Sequence, residues 1–182
     1  MKRLIGITGF GVLVIILLSC SKQQKNAEAS DNSLPHVAAA SQVKAGRYLI
    51  ITGGCNDCHT QGFMQDNNIP ESEWMTGSSV GWQGPWGTTY AANLRLSVQN
   101  YSKKAWVHMA KTRSTRPPMV WFSLNQMSDK DLKAIYAYLK SLGPKGKPAP
   151  HAVPPGQKPK TPYISLMPQN MPQDSVPMNT NK

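Results

Sequence analysis

Within GGCNDCHTQG, the residues Cys55, Cys58 and His59 fall inside five positions, so any fold of this chain must carry two thiols and an imidazole at one point. Four chemistries use such a cluster. A redox dithiol of the thioredoxin kind needs a preceding strand and a βαβ surround, and neither pattern flanks the motif. A structural zinc site needs a further set of ligands, usually a second close pair, and the remaining cysteine, Cys20, lies in the N-terminal segment. A disulfide spanning two residues is strained and closes too short a loop to stabilise much. What remains is Cys-x-x-Cys-His as a haem attachment sequence, in which each thiol adds to a vinyl group and the histidine supplies an axial nitrogen to iron. Two intervening residues place the thiols on one helical turn and the next side chain over the ring.

The ends of the chain read differently from its centre. Lys2 and Arg3 precede the apolar run 4–18, which is short for a membrane span and ends in LLSC at Cys20. Residues 1–19 therefore read as an export signal, and the LLSC sequence resembles a bacterial lipoprotein processing site. Cleavage before Cys20 and acylation of that residue would hold the protein to a membrane without a spanning helix. Export also fits haem attachment, which takes place outside the cytoplasm. Residues 20–40 are small and polar, as in a tether, and 144–182 is proline-rich and expected to run extended. The intervening 41–143 is the domain.

The whole chain carries 20 basic and 9 acidic residues. Loss of Lys2 and Arg3 leaves a strong positive excess, but export argues against nucleic acid as the partner. Acidic protein surfaces and anionic lipid fit the location better.

Three helices are legible in the domain. One covers 43–54, with Val43, Gly46, Leu49, Ile50 and Ile51 at helical spacing and two glycines closing it. A second covers 102–112, with Trp106, Met109 and Ala110 as its apolar stripe. The third covers 128–142, with Ser128 as N-cap, Asp131 in the capping-box position, Gly143 as stop, and Leu132, Ile135, Leu139 and Leu142 on one face. Between the first two lies 61–100, rich in Gly and Trp, with no strand-like alternation. The expected class is all-α, a small helical domain with long ordered loops packed around one covalent haem.

A sixth iron ligand is sought among Met109, Met119, Met127, His108 and His151. Met119 stands in TRPPMVWF, where two prolines stiffen the backbone around the thioether, sixty residues after His59. Met127, just ahead of the N-cap Ser128, is the alternative. His108 reads as a solvated helix face, His151 belongs to the tail, and Met109 shares the Trp106 core face.

Taken together and in order, GRYLIITGGCNDCHT, GPWGTTYAANL and PPMVWFSLNQMSDKDLKAIYAYLKSLG resemble a class I cytochrome c domain, in particular the monohaem domains of cytochrome subunits from membrane-bound bacterial dehydrogenases. The resemblance covers about 41–143. It implies that the first and last helices cross beside the haem, with Gly46 permitting the approach and Tyr136 or Leu139 facing it. It also implies that the Pro85 carbonyl accepts the His59 Nδ1 proton, with Trp86 and Arg95 as pocket contacts. Two departures stand out, a single attachment motif and the Trp-bearing stretch PESEWMTGSSVGWQG. Trp74, Trp82, Trp86, Trp106 and Trp121 read as pocket walls or loop anchors, and the sharper option is a haem carboxylate bonded by an indole N–H, Arg95 or Asn93.

The expected function is one-electron transfer by an exported, lipid-anchored carrier, with haem c as cofactor and iron held by His59 and Met119, between respiratory or dehydrogenase partners. Those partners are redox proteins with acidic docking surfaces. The chain is an electron carrier in this reading, not an enzyme. The alternative is a haem enzyme or gas sensor whose sixth position is open or easily vacated.

Overall fold

The computed structural model describes residues 34–170. The signal segment 1–19, the acylation candidate Cys20, most of the tether and the last twelve residues of the tail lie outside the described residues.

The three expected helices form where the sequence places them. α1 (Gln42–Thr52) is capped by the Ser41 side chain, which accepts from the Lys44 N–H. α4 (Lys103–Thr112) is capped by Ser102, accepting from Ala105, and α6 (Asp129–Ser141) by Ser128, accepting from Asp131. Each cap satisfies one of the donors a helix start leaves open. Asp131 completes no reciprocal box among the bonds formed. Its carboxylate accepts from the Val37 N–H at 2.9 Å, tying the segment ahead of α1 to the start of α6.

α1 packs across α6 through backbone. A Cβ at Gly46 would lie 2.1 Å from the Ala134 carbonyl oxygen and 2.7 Å from the Tyr138 Cβ, closer than any real contact. The helices can cross at this depth because position 46 has no side chain. The residues facing Gly46 are therefore Ala134 and Tyr138, in place of the expected Leu139 or Tyr136. The register explains the difference: α1 buries Ala45, Gly46, Leu49 and Ile50, whereas Val43 and Ile51 are 39% and 45% exposed. Tyr136 turns instead toward α4, with its ring 6.2 Å from that of Trp106 and its hydroxyl donating to the Tyr101 carbonyl. Leu49, Ile50, Trp106, Val107, Leu132, Ile135, Tyr138 and Leu139 form the centre of the core.

The all-α expectation holds for this core and fails in the stretch 61–100. There the chain makes a hairpin, β1 (Gly81–Gly84) with β2 (Gly87–Tyr90), antiparallel in the register Gly84 to Gly87. The proline-rich tail adds β3 (Tyr163–Ser165) parallel to β1, giving the order β2-β1-β3. Short helices fill the rest: α2 (Cys55–His59), α3 (Leu94–Ser97) and α5 (Trp121–Gln126). The strands are four residues or fewer, with glycines at both ends of β1 and at the start of β2, and such short segments show no alternation to read.

The described part of the tail, 144–170, is extended, as expected, and works as a strap. The Val153 N–H and C=O pair with Thr88, the Tyr90 hydroxyl meets Thr161 Oγ1 at 2.7 Å, and the Leu166 N–H donates to Gln83. Tyr163, Ile164 and Leu166 attach by backbone, their side chains being each 37% exposed. Among the described residues, no helix is long and apolar enough to cross a membrane.

Candidate functional site

The motif residues are delivered by a reversal at the end of α1. Gly53 and Gly54 close that helix, the Gly53 N–H donating to the Leu49 carbonyl and the Gly54 N–H to the Ile51 carbonyl. Gly54 then takes a left-handed conformation, φ 64°, and starts α2 immediately. Only glycine adopts that backbone at no steric cost. One turn of helix consequently holds Cys55, Cys58 and His59 together.

His59 is 9% exposed. Its Nδ1 lies 2.8 Å from the Ala92 carbonyl oxygen. A carbonyl can only accept, so Nδ1 carries the proton and the Nε2 lone pair is left for a metal. Burial pushes the imidazole toward its neutral form, and the Arg113 charge adds to that, against the Ala92 bond, which favours the protonated ring. A neutral ring of fixed tautomer is the form that ligates iron.

The acceptor is Ala92, not Pro85. Pro85 sits with Trp86 in the two-residue β1–β2 turn, while the chain after β2 passes beside α2. That passage is well fastened. The Gly77 N–H donates to the His59 carbonyl at 2.8 Å, Thr60 Oγ1 donates to Asn56 Oδ1 at 2.7 Å, and the Met75 N–H donates to Thr60 Oγ1 at 2.9 Å. The Leu94 N–H donates to the Met75 carbonyl, and the Asn93 side chain donates to the carbonyls of Lys145 and Lys147. Thus the strap holds Asn93, and Asn93 flanks the residue that orients His59. Ala92 acts through its main chain, so no side-chain signal pointed to it. Thr60, immediately after the motif, was the readable clue to the Asn56–Thr60–Met75 links.

Both thiols are held protonated. Burial first, and then Asp57, push Cys55 up to about 11, and the same two causes raise Cys58. A catalytic dithiol needs the opposite shift. The thiols are unbridged, and among the described residues no group of three or more His, Cys, Asp or Glu is placed to hold a metal ion. The residues fit addition to a porphyrin better than redox or zinc chemistry.

Arg95 is engaged with main-chain carbonyls. It is buried and its guanidinium donates to the carbonyls of Gly143, Ser72 and Leu142, closing the C-terminal end of α6. Asn93 is likewise occupied. Trp86 differs: its indole N–H is buried without a partner. An unpaired buried donor is costly, and a haem carboxylate is an acceptor of the right kind for it. Trp74 and Trp106 belong to the core. The Trp74 N–H donates to the Ile69 carbonyl, and its ring meets Phe63 edge-on at 5.7 Å.

Of the sixth-ligand candidates, Met109 and Met127 pack against the core. Met119 is half-buried and stands outside that cluster, in the loop between α4 and α5. His108 and His151 are exposed. The same loop begins at Arg113, whose charge acts on His59.

A family model described as Cytochrome c matches residues 43–143. The fructose dehydrogenase cytochrome subunit of Gluconobacter japonicus is 28% identical over 127 residues, covering 64% of this chain and 24% of that protein. The match therefore spans about a quarter of the relative's length. No solved structure matches the chain.

Proposed function

The chain belongs to the cytochrome c family and binds haem covalently through Cys55 and Cys58 next to His59, and from that premise we propose that it is a one-electron carrier whose iron is held by His59 and Met119. When bound, haem supplies an Fe(III)/Fe(II) couple that takes up and releases one electron without breaking a bond.

The chain's own residues provide the setting. The Ala92 carbonyl fixes the His59 tautomer and raises its basicity. Cys55 and Cys58, protonated until used, tether the macrocycle, and Trp86 offers an N–H to its carboxylate edge. The observation that carries the ligand assignment is the contrast among methionines: Met109 and Met127 are packed into the core, and Met119 is not. A thioether in the sixth position favours a high potential and leaves no site for substrate, which suits a carrier and not an enzyme.

The membrane reading is part of the same proposal. Cleavage before Cys20 and acylation would leave the domain exported and anchored, facing redox partners on one side of a bacterial membrane. The relative named as a dehydrogenase cytochrome subunit supports a dehydrogenase as one such partner, and the basic excess suits an acidic docking surface.

Met119→Ala in the matured protein tests the ligand set. The far-red sulfur-to-iron charge-transfer band should vanish and carbon monoxide should bind the ferrous form at once. An unchanged spectrum would move the assignment to Met127. Mass spectrometry of the Cys20→Ala variant beside the parent protein tests acylation, which predicts loss of the lipid mass and release from membranes.

A further inference from the structure

The loop that carries Met119 has very little hydrogen bonding of its own. α4 ends where the Arg113 N–H donates to Met109, and α5 begins where the Ser123 N–H donates to Val120. Pro117 and Pro118 have no N–H to give. Among the described residues, the side-chain hydrogen bond that reaches positions 114–119 is the one from Thr89 Oγ1 to the Pro117 carbonyl, at 2.7 Å. The hydroxyl's other acceptor, the Trp82 carbonyl, is 3.5 Å away, so the single proton belongs to Pro117.

Thr89 is itself braced. It lies in β2, opposite Trp82 of β1, which in turn pairs with Ile164 of the strap. The neighbouring Thr88 is locked to Val153 through both N–H and C=O, and a Cβ at Gly87 would lie 2.2 Å from the Val153 oxygen. The strap therefore holds β2 on one side while β2 holds the Pro117 carbonyl, two residues ahead of the thioether.

We propose that Thr89 is a positioning residue for the sixth ligand, its hydroxyl clamping the Pro117 carbonyl so that the strap-braced hairpin fixes where Met119 is presented. The inference rests on the reading of Met119 as that ligand. Its consequence is that the proline-rich tail, remote in sequence from the haem motif, governs how readily the methionine can be displaced.

The test uses matured, haem-loaded full-length protein and imidazole as a competing ligand for ferric iron. Thr89→Val keeps the shape and removes the proton, and Thr89→Ser restores it. Imidazole should bind Thr89→Val about fivefold more tightly than the parent, within the range a single neutral hydrogen bond sets, and Thr89→Ser should return to within about twofold. The far-red band of Thr89→Val should also be lost at lower pH. A merely structural role would lower the denaturation midpoint and leave imidazole affinity unchanged, and that result overturns the proposal alone. If the parent lacks the band, or Met119→Ala keeps it, the ligand assignment fails and the clamp fails with it.

Discussion

The two sides of this domain are held together by different physics. Around the crossing of α1 and α6, apolar side chains interlock and backbone meets backbone at Gly46. Around α2, the hairpin and the Met119 loop, most connections are single hydrogen bonds to carbonyls: Ala92 for His59, Lys145 and Lys147 for Asn93, Pro117 for Thr89. Of the unpartnered buried atoms among the described residues, Trp86 Nε1, Asn56 Nδ2, Thr88 Oγ1 and Thr115 Oγ1 lie on this second side, against Trp106 Nε1 on the first. A region with few apolar contacts and unsatisfied donors is one whose core is incomplete in protein alone. The contrast teaches that haem acts here as packing material as well as redox centre.

The sharpest way to break the comparison is at Gly46. An alanine there would put its methyl 2.1 Å from the Ala134 oxygen, so the helices must move apart, and overpacking of this kind costs about 3 kcal/mol or more. Denaturant unfolding of the haem-loaded protein should show that loss while the far-red band of the remaining folded fraction stays unchanged. A shifted band would mean that the crossing and the ligand loop are one unit.

Arg95 stands at the joint between the two sides, reaching from α3 to the end of α6. Replacing it with methionine strands the carbonyls of Gly143, Leu142 and Ser72. Loss of charge-assisted bonds at a buried group should cost about 2–3 kcal/mol, measured as a lowered denaturation midpoint with the haem bands unaltered. A lost haem carboxylate contact would instead change the bands.

Gly87→Ala addresses the strap. Position 87 has φ 96°, and the added methyl would meet the Val153 oxygen. Strain and clash together should cost about 2 kcal/mol, expressed locally. Limited proteolysis should cut within 144–170 faster than in the parent, and amides of α1 and α6 should keep their exchange protection. Equal loss of protection in those helices would erase the distinction between the two sides.

This division also governs what could be read from sequence. The helices follow from period, the Ser128 cap and the glycine stops, because their stability is local plus one apolar face. The haem motif is equally plain, since its chemistry fixes its spacing. The hairpin was missed because GWQG and GTTY are too short to alternate, and the partner of His59 because a backbone carbonyl leaves no mark on residue identity. The main-chain partners of Arg95 are hidden for a related reason. A lone arginine in a loop suits a carboxylate or a helix C-terminus equally well, and three-dimensional neighbours decide between them. Sequence predicts what residues do through their own side chains and neighbours in the chain, and it is blind to partners supplied by main chain from elsewhere.

The smallest expected effect tests the scaffold at a polar seam. Tyr138 is buried where α6 meets α1, and its hydroxyl donates to Glu71 at 2.8 Å. Burial first, then the bond to Glu71, hold the phenol proton well above its ordinary range. Tyr138→Phe should cost about 1 kcal/mol near neutral pH, the worth of one hydrogen bond. The pH dependence has a definite sign. Above about 10, tyrosine's ordinary value, the unfolded chain sheds the proton while the folded protein keeps it. The folded state then binds more protons, so the parent loses stability as pH rises through that point. The phenylalanine variant has no such proton, so the gap between the two proteins should narrow above pH ~10 and be constant below it. A gap that stays constant across that range would mean that Glu71 and the core leave the phenol no harder to ionise than in the unfolded chain, and that the seam is no less solvated than the loops on the haem side.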